Sequence, residues 1–282
     1  MTSNLILSGK RSIESAQRLS EVVIANEVIA NDAHVVLRGV ETTRALQVTV
    51  ADVCETTNTD FAFLREGESL KNYKLIVFDM DSTLINVECI DEVAAWTSKA
   101  AEVAAITYQS MQDPSINFES SLRARTAALA GVPVQALRQI YEERIALSPG
   151  VLPLISAARN NHLKIGLISG GFTFFAELLQ QQLSLDFAFA NELEISNQQL
   201  TGRVTGPVID GQAKATLLRS ELQRLAIDRS EAIVVGDGSN DIPMMNEVEF
   251  SVAYRAKPLV RRAATHRIDY GAMDVILHWL PA

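Results

Sequence analysis

Four short apolar runs, each bounded by polar residues, recur along the chain after residue 73. The segments between them carry apolar residues at helical spacing. Because a parallel strand that is covered on both faces needs a continuous apolar run, this alternation predicts a doubly wound, mostly parallel α/β sheet. The predicted strands are Leu75–Phe78, Lys164–Ile168, Ala232–Val235 and Phe250–Ala253.

The connection between the first two predicted strands is too long for one crossover helix. Residues 87–147 are rich in alanine and have a helical pattern of apolar positions, so we expect an inserted helical cap there. Later in the chain, the pattern of Leu193–Val204 predicts a β-hairpin that stands off the sheet.

The first 72 residues have a pattern of their own, with three predicted strands and one predicted helix. The strands are Asn4–Ser8, His34–Arg38 and Ala45–Val50, and the helix is Ile13–Ile24. This β-α-β-β order predicts a small α+β domain at residues 1–72, joined through the polar segment 65–73 to an α/β domain at 73–282. No catalytic constellation lies in the small domain, and both dimerisation and regulation remain open as its role.

The charge balance narrows the classes of partner. With 25 Lys and Arg residues against 34 Asp and Glu, the formal net charge is −9. Proteins that coat nucleic acid or an anionic membrane need a basic face, so this composition argues against both partners. No apolar run reaches the length of about 18 residues that a spanning helix needs, and no secretory pattern opens the chain. With only two cysteines, these features predict a cytoplasmic protein.

Two carboxylates, Asp79 and Asp81, follow the first predicted strand with a single residue between them. In an open α/β sheet the reacting groups gather at the carboxyl ends of the strands. Acids this close on a loop leaving a buried strand repel each other unless a cation or a raised pKa relieves the repulsion. The pair of acids therefore indicates a functional site, in which a cation or a raised pKa relieves their repulsion.

Three more polar motifs fall at the same edge of the predicted sheet. Ser169–Gly171 ends the second strand and offers a hydroxyl and backbone N–H groups to a phosphate. Lys214 begins a predicted helix, and Gly236–Asp241 adds the carboxylates of Asp237 and Asp241 after the third strand. Together the four motifs have the composition of a phosphoryl-transfer site, in which acids bind Mg²⁺ and the other groups neutralise phosphoryl oxygens.

These motifs, in this order, resemble the haloacid dehalogenase-like phosphohydrolase superfamily. A closer similarity, to the phosphoserine phosphatase family, lies in Glu88–Glu92 (ECIDE), Asn117–Arg125 (NFESSLRAR) and Ala190–Leu193 (ANEL). The resemblance covers about residues 74–280, and the first 70 or so residues lack comparably specific motifs.

The resemblance implies a mechanism for the predicted site. Asp79 would be the nucleophile that accepts the phosphoryl group, and Asp81 would be the general acid and then the general base. The carboxylates of Asp79 and Asp237 and the main-chain carbonyl of Asp81 would bind Mg²⁺, with Asp241 in support.

The resemblance also implies a substrate, O-phospho-L-serine, hydrolysed to serine and phosphate in the last step of serine biosynthesis. Glu88 would bind the ammonium group and Arg125 the carboxylate, while Phe118 and Met111 would close the pocket. The residues expected to hold the phosphate or its supporting groups are Ser169, Gly170, Gly171, Lys214 and Asn240.

Two other functions stay open on the sequence. One is hydrolysis or transfer of phosphate from another small phosphorylated amino acid or alcohol. The other is a phospho-receiver domain, which also groups acids and a lysine around Mg²⁺ but needs neither a large cap nor a second Asp two residues after the acceptor. For the small N-terminal domain, formation of a homodimer and regulation by serine stay open as alternatives.

Overall fold

The computed structural model describes residues 2–112 and 117–282, with the backbone alone at 110–112. Its N-terminal part is a four-stranded antiparallel sheet in the order β2-β3-β1-β4, with two helices on one face. The elements are β1 (Thr2–Ser8), α1 (Ser12–Leu19), β2 (Glu27–Ala30), β3 (His34–Glu41), α2 (Arg44–Thr57) and β4 (Asp60–Leu64). The observed order is therefore β-α-β-β-α-β rather than the predicted β-α-β-β.

The predicted strand Ala45–Val50 is wrong, because this segment lies in α2. The side chain of Thr43 caps the helix by accepting a hydrogen bond from the backbone N–H of Leu46. Val50, Cys54 and Thr57 are buried on one face at helical spacing. The β-branched residues suggested a strand, but the capping threonine and the periodicity favour a helix.

A seven-stranded sheet forms the centre of the rest of the chain, in the order β11-β10-β9-β5-β6-β7-β8. Its strands are β5 (Leu75–Phe78), β6 (Lys164–Phe172), β7 (Phe187–Ser196), β8 (Gln199–Thr205), β9 (Ala232–Gly236), β10 (Phe250–Tyr254) and β11 (His266–Ile268). All pairs are parallel except β7 with β8. The predicted α/β sheet and its four strands are confirmed. The predicted hairpin is also present, but β7 begins earlier, at Phe187, and pairs with β6.

Helices cover both faces of this sheet and form the insert between β5 and β6. The insert contains α3 (Cys89–Ala94), α4 (Ala100–Gln112), α5 (Phe118–Ala127) and α6 (Val134–Glu143). The remaining helices are α7 (Val151–Asn160), α8 (Thr173–Leu183), α9 (Gly211–Leu225), α10 (Ile242–Met245), α11 (Pro258–Ala263) and α12 (Val275–Trp279). The chain enters and leaves the insert side by side, through an antiparallel bridge between Ile85 and Leu147. This narrow connection agrees with a helical cap.

The two sheets share buried contacts, so the segment predicted as a linker is an anchored connection. Ile6 and Leu64 belong to the same buried apolar cluster as Trp279. Within the connection, Leu70 is fully buried, and its backbone N–H donates to the carbonyl of Pro281 at 3.0 Å. The division into domains at residue 72 stays a prediction. Among the helices of the described ranges, none has the length and apolar character to cross a bilayer.

Asp60 ties the two parts together through its carboxylate. The backbone N–H groups of Asp269, Tyr270 and Gly271 donate to this carboxylate at 2.7, 3.2 and 2.7 Å. Asp60 is 3% exposed, and burial raises its pKa while the three hydrogen bonds favour the ionised form. One side chain on β4 therefore fixes the loop that follows β11.

Replacing Asp60 by alanine should lower the free energy of unfolding by about 3 kcal/mol, because three backbone donors lose a charged acceptor. Urea unfolding followed by circular dichroism measures the change. Asp52→Ala, at an exposed position of α2, is the control and should have little effect. Equal losses in the two variants would contradict the assigned role of Asp60.

Candidate active site

The two acids after β5 lie on an irregular turn at the carboxyl edge of the sheet. Residues 80–84 form this turn, in which Ser82 has a φ of 55°. The Asp79 carboxylate is buried at the end of the strand. Oδ1 of Asp81 lies 3.1 Å from the backbone N–H of Cys89, which donates to it from the first turn of the cap. The two acids thus lie at the junction of the sheet and the cap, with Asp79 at the end of β5 and Asp81 bonded to the cap.

Lys214 lies beneath this turn, in the first turn of α9. Its Nζ donates to Oδ1 of Asp79 and to Oδ1 of Asp241, each at 2.7 Å, and the side chain is fully buried. Burial opposes the charged form of the lysine, but Asp241 and Asp79 outweigh it and raise the pKa of Lys214. The lysine is therefore protonated, and it fixes one oxygen of the first Asp while the other oxygen makes no bond to it.

The segment after β9 contributes Asp237 and Asp241. Oδ2 of Asp241 accepts hydrogen bonds from the backbone N–H groups of Asp237, at 3.1 Å, and Gly238, at 2.9 Å. Oδ1 of Asp237 accepts a hydrogen bond of 2.8 Å from the hydroxyl of Thr83. Within the described residues, both oxygens of Asp241 accept hydrogen bonds, whereas Asp237 accepts a side-chain hydrogen bond at one oxygen only.

Asp79, Asp237 and Asp241 form a compact acidic cluster, with one carboxylate oxygen of each within 4.8 Å of the others. Burial, with the repulsion of Asp241, raises the pKa of Asp79 to about 7 despite Lys214. Burial and the neighbouring carboxylates also raise the pKa of Asp237 well above its usual value. Three carboxylates lie close together, and the single ammonium of Lys214 contacts two of them. The cluster therefore retains an excess of negative charge, so a hard divalent cation fits these donors.

The glycines after Ser169 leave room for groups that approach them closely. A Cβ at Gly171 would lie 2.6 Å from Oδ2 of Asp81, and a Cβ at Gly170 would lie 2.8 Å from the Phe118 ring. The backbone N–H of Gly171 donates to Oγ of Ser169 at 2.9 Å. No larger residue fits at either position without displacing a predicted site residue.

The cap contributes Glu88 and Arg125 on the opposite side. Ser82 donates to Oε1 of Glu88 at 2.7 Å. Burial raises the pKa of Glu88 and lowers that of Arg125, while the two opposite charges partly offset these effects. Arg125 is buried on α5, where Nη1 donates to the hydroxyl of Thr107 at 3.2 Å.

One cavity between the sheet edge and the cap brings together ten of the predicted site residues. They are Asp79, Asp81, Glu88, Phe118, Arg125, Ser169, Gly170, Gly171, Asp237 and Asn240. Lys214 and Asp241 do not line this cavity. They lie behind it, where Lys214 binds the carboxylates of both Asp79 and Asp241. The side chain of Met111 lies outside the described residues.

Comparison with known proteins places this arrangement in a family. The sequence profile of the haloacid dehalogenase-like hydrolases matches residues 76–246, which include the cap and the central sheet from β5 to β9. The chain belongs to this family. A phosphoserine phosphatase of Polaromonas sp. is 44% identical over 212 residues, which are 74% of this chain and 90% of the relative.

Solved structures of the same family extend the similarity to the whole chain. A hydrolase of the family from Salmonella enterica serovar Typhi superposes with a TM-score of 0.88 at 27% identity, covering 99% of this chain and 98% of that one. An unliganded probable phosphoserine phosphatase from Vibrio cholerae has a TM-score of 0.81 at 30% identity. The superposition covers 99% of this chain and 86% of that one. The N-terminal sheet, outside the family profile, is therefore shared with solved members of this hydrolase family.

Two polar residues that support the site of this hydrolase were missed on the sequence. Thr83 holds Asp237, and the buried side chain of Asn191 joins the end of β6 to the segment before α9. Its amide donates to the carbonyl of Gly170 at 2.9 Å and accepts from the backbone N–H of Ile209 at 2.7 Å. The ANEL segment was noted only as part of the resemblance, and nothing in its composition indicated this contact.

Replacing Lys214 by methionine should lower the free energy of unfolding of this hydrolase by about 3 kcal/mol without a divalent cation, since two buried carboxylates lose their partner. Urea unfolding in EDTA measures the loss. Lys164→Met is the control, because its pair with Asp186 at 2.7 Å lies at the surface and should contribute about 1 kcal/mol or less. Similar losses of unfolding free energy in both variants would show that the buried ion pairs of Lys214 contribute no more to stability than a surface pair.

Proposed function

We propose that this protein is a cytoplasmic, magnesium-dependent phosphatase that hydrolyses O-phospho-L-serine to L-serine and phosphate, the last step of serine biosynthesis. The observation that carries the proposal is the cavity, in which an acidic cluster faces a cap-borne carboxylate and guanidinium. Phosphoserine has a matching group for each part of the cavity. Its phosphate matches the Mg²⁺ that the acidic cluster would hold, its ammonium matches the carboxylate of the cap, and its carboxylate matches the guanidinium. The names of the Polaromonas and Vibrio relatives agree with this substrate.

Asp79 is the proposed nucleophile. Its Oδ1 is held by Lys214 at 2.7 Å, which leaves Oδ2 to attack the phosphorus atom and form an aspartyl-phosphate as the serine oxygen departs. The carboxylates of Asp79 and Asp237 and the carbonyl of Asp81 would hold Mg²⁺, with Asp241 behind them. When bound, Mg²⁺ offsets the negative charge that the phosphate brings next to the carboxylates.

Asp81 is the proposed general acid and base. Burial and the charge of Glu88 raise the pKa of Asp81 to about 8, which favours the protonated carboxyl group that a general acid needs. It gives this proton to the departing serine oxygen, then takes a proton from the water that opens the aspartyl-phosphate and releases phosphate. Proton transfer by a positioned group accelerates such steps by roughly 10²–10⁴-fold.

The remaining residues bind the substrate. Ser169, the backbone N–H groups of the two glycines after it and the side chain of Asn240 are proposed donors to the phosphoryl oxygens. Glu88 is proposed to bind the ammonium and Arg125 the carboxylate, because a guanidinium matches a carboxylate in bidentate geometry. Phe118 lies against Gly170 and is proposed to exclude water from the pocket.

Steady-state release of phosphate from O-phospho-L-serine tests the reaction. Activity should need added Mg²⁺, disappear with EDTA and fall to background in Asp79→Asn, which lacks the nucleophile. A lasting phosphoprotein with slow loss of phosphate would instead identify a phospho-receiver.

The Arg125→Ala variant tests the substrate within the same assay. It should raise KM for phosphoserine by about 100-fold, since a buried charge-assisted contact is lost, and leave KM for O-phosphoethanolamine, which lacks the carboxylate, unchanged. Arg123→Ala on the same helix is the control, because that exposed side chain pairs with Glu119. If Arg125→Ala hydrolyses phosphoserine normally while it stays folded, the amino-acid substrate is wrong.

We further propose that residues 1–72 form a domain that makes the protein a homodimer through β2. All four residues of this edge strand are exposed, and Val28 and Ile29 are apolar with 60% and 39% exposure. An exposed apolar edge strand is a template for pairing with another chain. In an antiparallel pairing of two copies centred on Val28, Glu27 lies opposite Ile29 of the second copy, so no like charges meet.

Light scattering should give a dimer mass for the wild-type protein and a monomer mass for Ile29→Lys, because a charge enters the paired edge. Ile13→Lys on α1, where Ile13 is 49% exposed, is the control and should stay dimeric. A monomeric wild-type protein, or a dimeric Ile29→Lys, would exclude this interface.

A further inference from the structure

The guanidinium of Arg125 is connected to a carboxylate through one hydroxyl. Nη1 donates to Oγ1 of Thr107 at 3.2 Å, and that hydroxyl lies 2.8 Å from Oδ1 of Asp91. Arg125 and Thr107 are 6% and 2% exposed. The three residues lie on α5, α4 and α3, so this chain of contacts joins three helices of the cap.

We propose that Thr107 and Asp91 are positioning residues, which hold the Arg125 guanidinium in the orientation that receives the carboxylate of the substrate. The inference rests on the proposed function, because it concerns the contact that distinguishes phosphoserine from phosphate monoesters without a carboxylate.

The hydroxyl of Thr107 has one proton, and two of the acceptors within its reach belong to the described residues. These are Oδ1 of Asp91 at 2.8 Å and the carbonyl of Val103 at 3.0 Å. Donation to the carboxylate oxygen, which is also the shorter contact, is the stronger bond, and it polarises the hydroxyl so that its oxygen accepts more strongly from the guanidinium. Asp91 therefore acts on Arg125 through Thr107.

An indirect connection leaves the guanidinium available to the substrate. A carboxylate in direct bidentate contact would occupy the donors that a substrate carboxylate needs. Nε of Arg125 donates to the carbonyl of Ser121 at 3.3 Å and Nη1 to Thr107, whereas Nη2 donates no hydrogen bond within the described ranges. Arg125 also lines the cavity that holds Asp79 and Asp81. The described part of the cap thus engages Nε and one N–H of Nη1. The second N–H of Nη1 and the two N–H groups of Nη2 are left for a bidentate contact with a ligand.

The electrostatic surroundings agree with this arrangement. Burial lowers the pKa of Arg125, and the charges of Glu88, Asp91 and Asp81 oppose that effect. Asp91 therefore stabilises the buried cation while staying out of contact with it.

Steady-state kinetics with two substrates test the proposal. Thr107→Val, which keeps the shape but removes the hydroxyl, should raise KM for phosphoserine about tenfold, the loss expected for one hydrogen bond to a charged group. KM and kcat for O-phosphoethanolamine should not change. Thr107→Ser restores the hydroxyl and should behave as wild type, and Asp91→Asn should give a smaller rise confined to phosphoserine.

Thr126→Val is the matched control. Thr126 is a fully buried threonine next to Arg125 on α5, and its hydroxyl donates to the carbonyl of Leu122 at 2.8 Å instead. This variant should leave the ratio of the two KM values at the wild-type level. The positioning role would be overturned if Thr107→Val also left the ratio of the two KM values at the wild-type level. It would equally be overturned if Thr107→Val and Thr107→Ser changed that ratio by the same factor.

Failure of the proposed function has a different signature. A wild-type protein that hydrolyses phosphate monoesters but shows no lower KM for phosphoserine than for O-phosphoethanolamine would remove the substrate assignment, and this inference with it. A wild-type preference for phosphoserine that persists in both Thr107→Val and Asp91→Asn would overturn the positioning role alone.

Discussion

The buried ammonium of Lys214 holds three separate parts of the sheet edge in one arrangement. It lies on α9 and contacts Asp79, at the end of β5, and Asp241, in the turn after β9, each at 2.7 Å. A charge taken out of water is costly unless it is paired, so neither acid can move away without leaving the lysine uncompensated. Because Asp241 also accepts the N–H of Asp237, the position of that carboxylate depends on the same contact.

This arrangement leaves a defined imbalance of charge. One ammonium contacts two of the three clustered carboxylates, and the third, Asp237, accepts a hydrogen bond from the neutral hydroxyl of Thr83. The raised pKa values of Asp79 and Asp237 show that protons and a cation would compete for the same oxygens. The two carboxylates that compensate the buried lysine therefore belong to an acidic cluster that is still short of positive charge, and a bound cation would supply it.

The elements that the sequence predicts well are those in which one physical effect dominates. Buried parallel strands need continuous apolar runs, and the runs at Leu75–Phe78 and Ala232–Val235 are strands in the structure. At Ala45–Val50 two effects competed, and the capping hydroxyl of Thr43 with the helical spacing of Val50 and Cys54 prevailed over β-branched composition.

For the site, the sequence located the residues with distinctive chemistry and missed those that position them. Acids spaced by one residue after a strand can be recognised without a structure. Thr83 cannot, because a threonine is common anywhere, and its partner Asp237 lies 154 residues away in the chain. The same holds for Asn191 and Thr107, whose importance comes only from what the fold places beside them.

The net charge of −9 and an anionic substrate are compatible because charges act over different ranges. At physiological salt the field of an exposed charge is screened within about 8 Å, so most surface acids contribute little in the cavity. The charges that matter there are buried or partly buried: Lys214 beneath Asp79, Arg125 in the cap and the cation that the acidic cluster fits. Buried charges are screened much less, so a few of them determine the local field. The overall charge therefore limits which macromolecules bind this protein. Binding of a small molecule in the cavity depends instead on the few buried charges that line or support it.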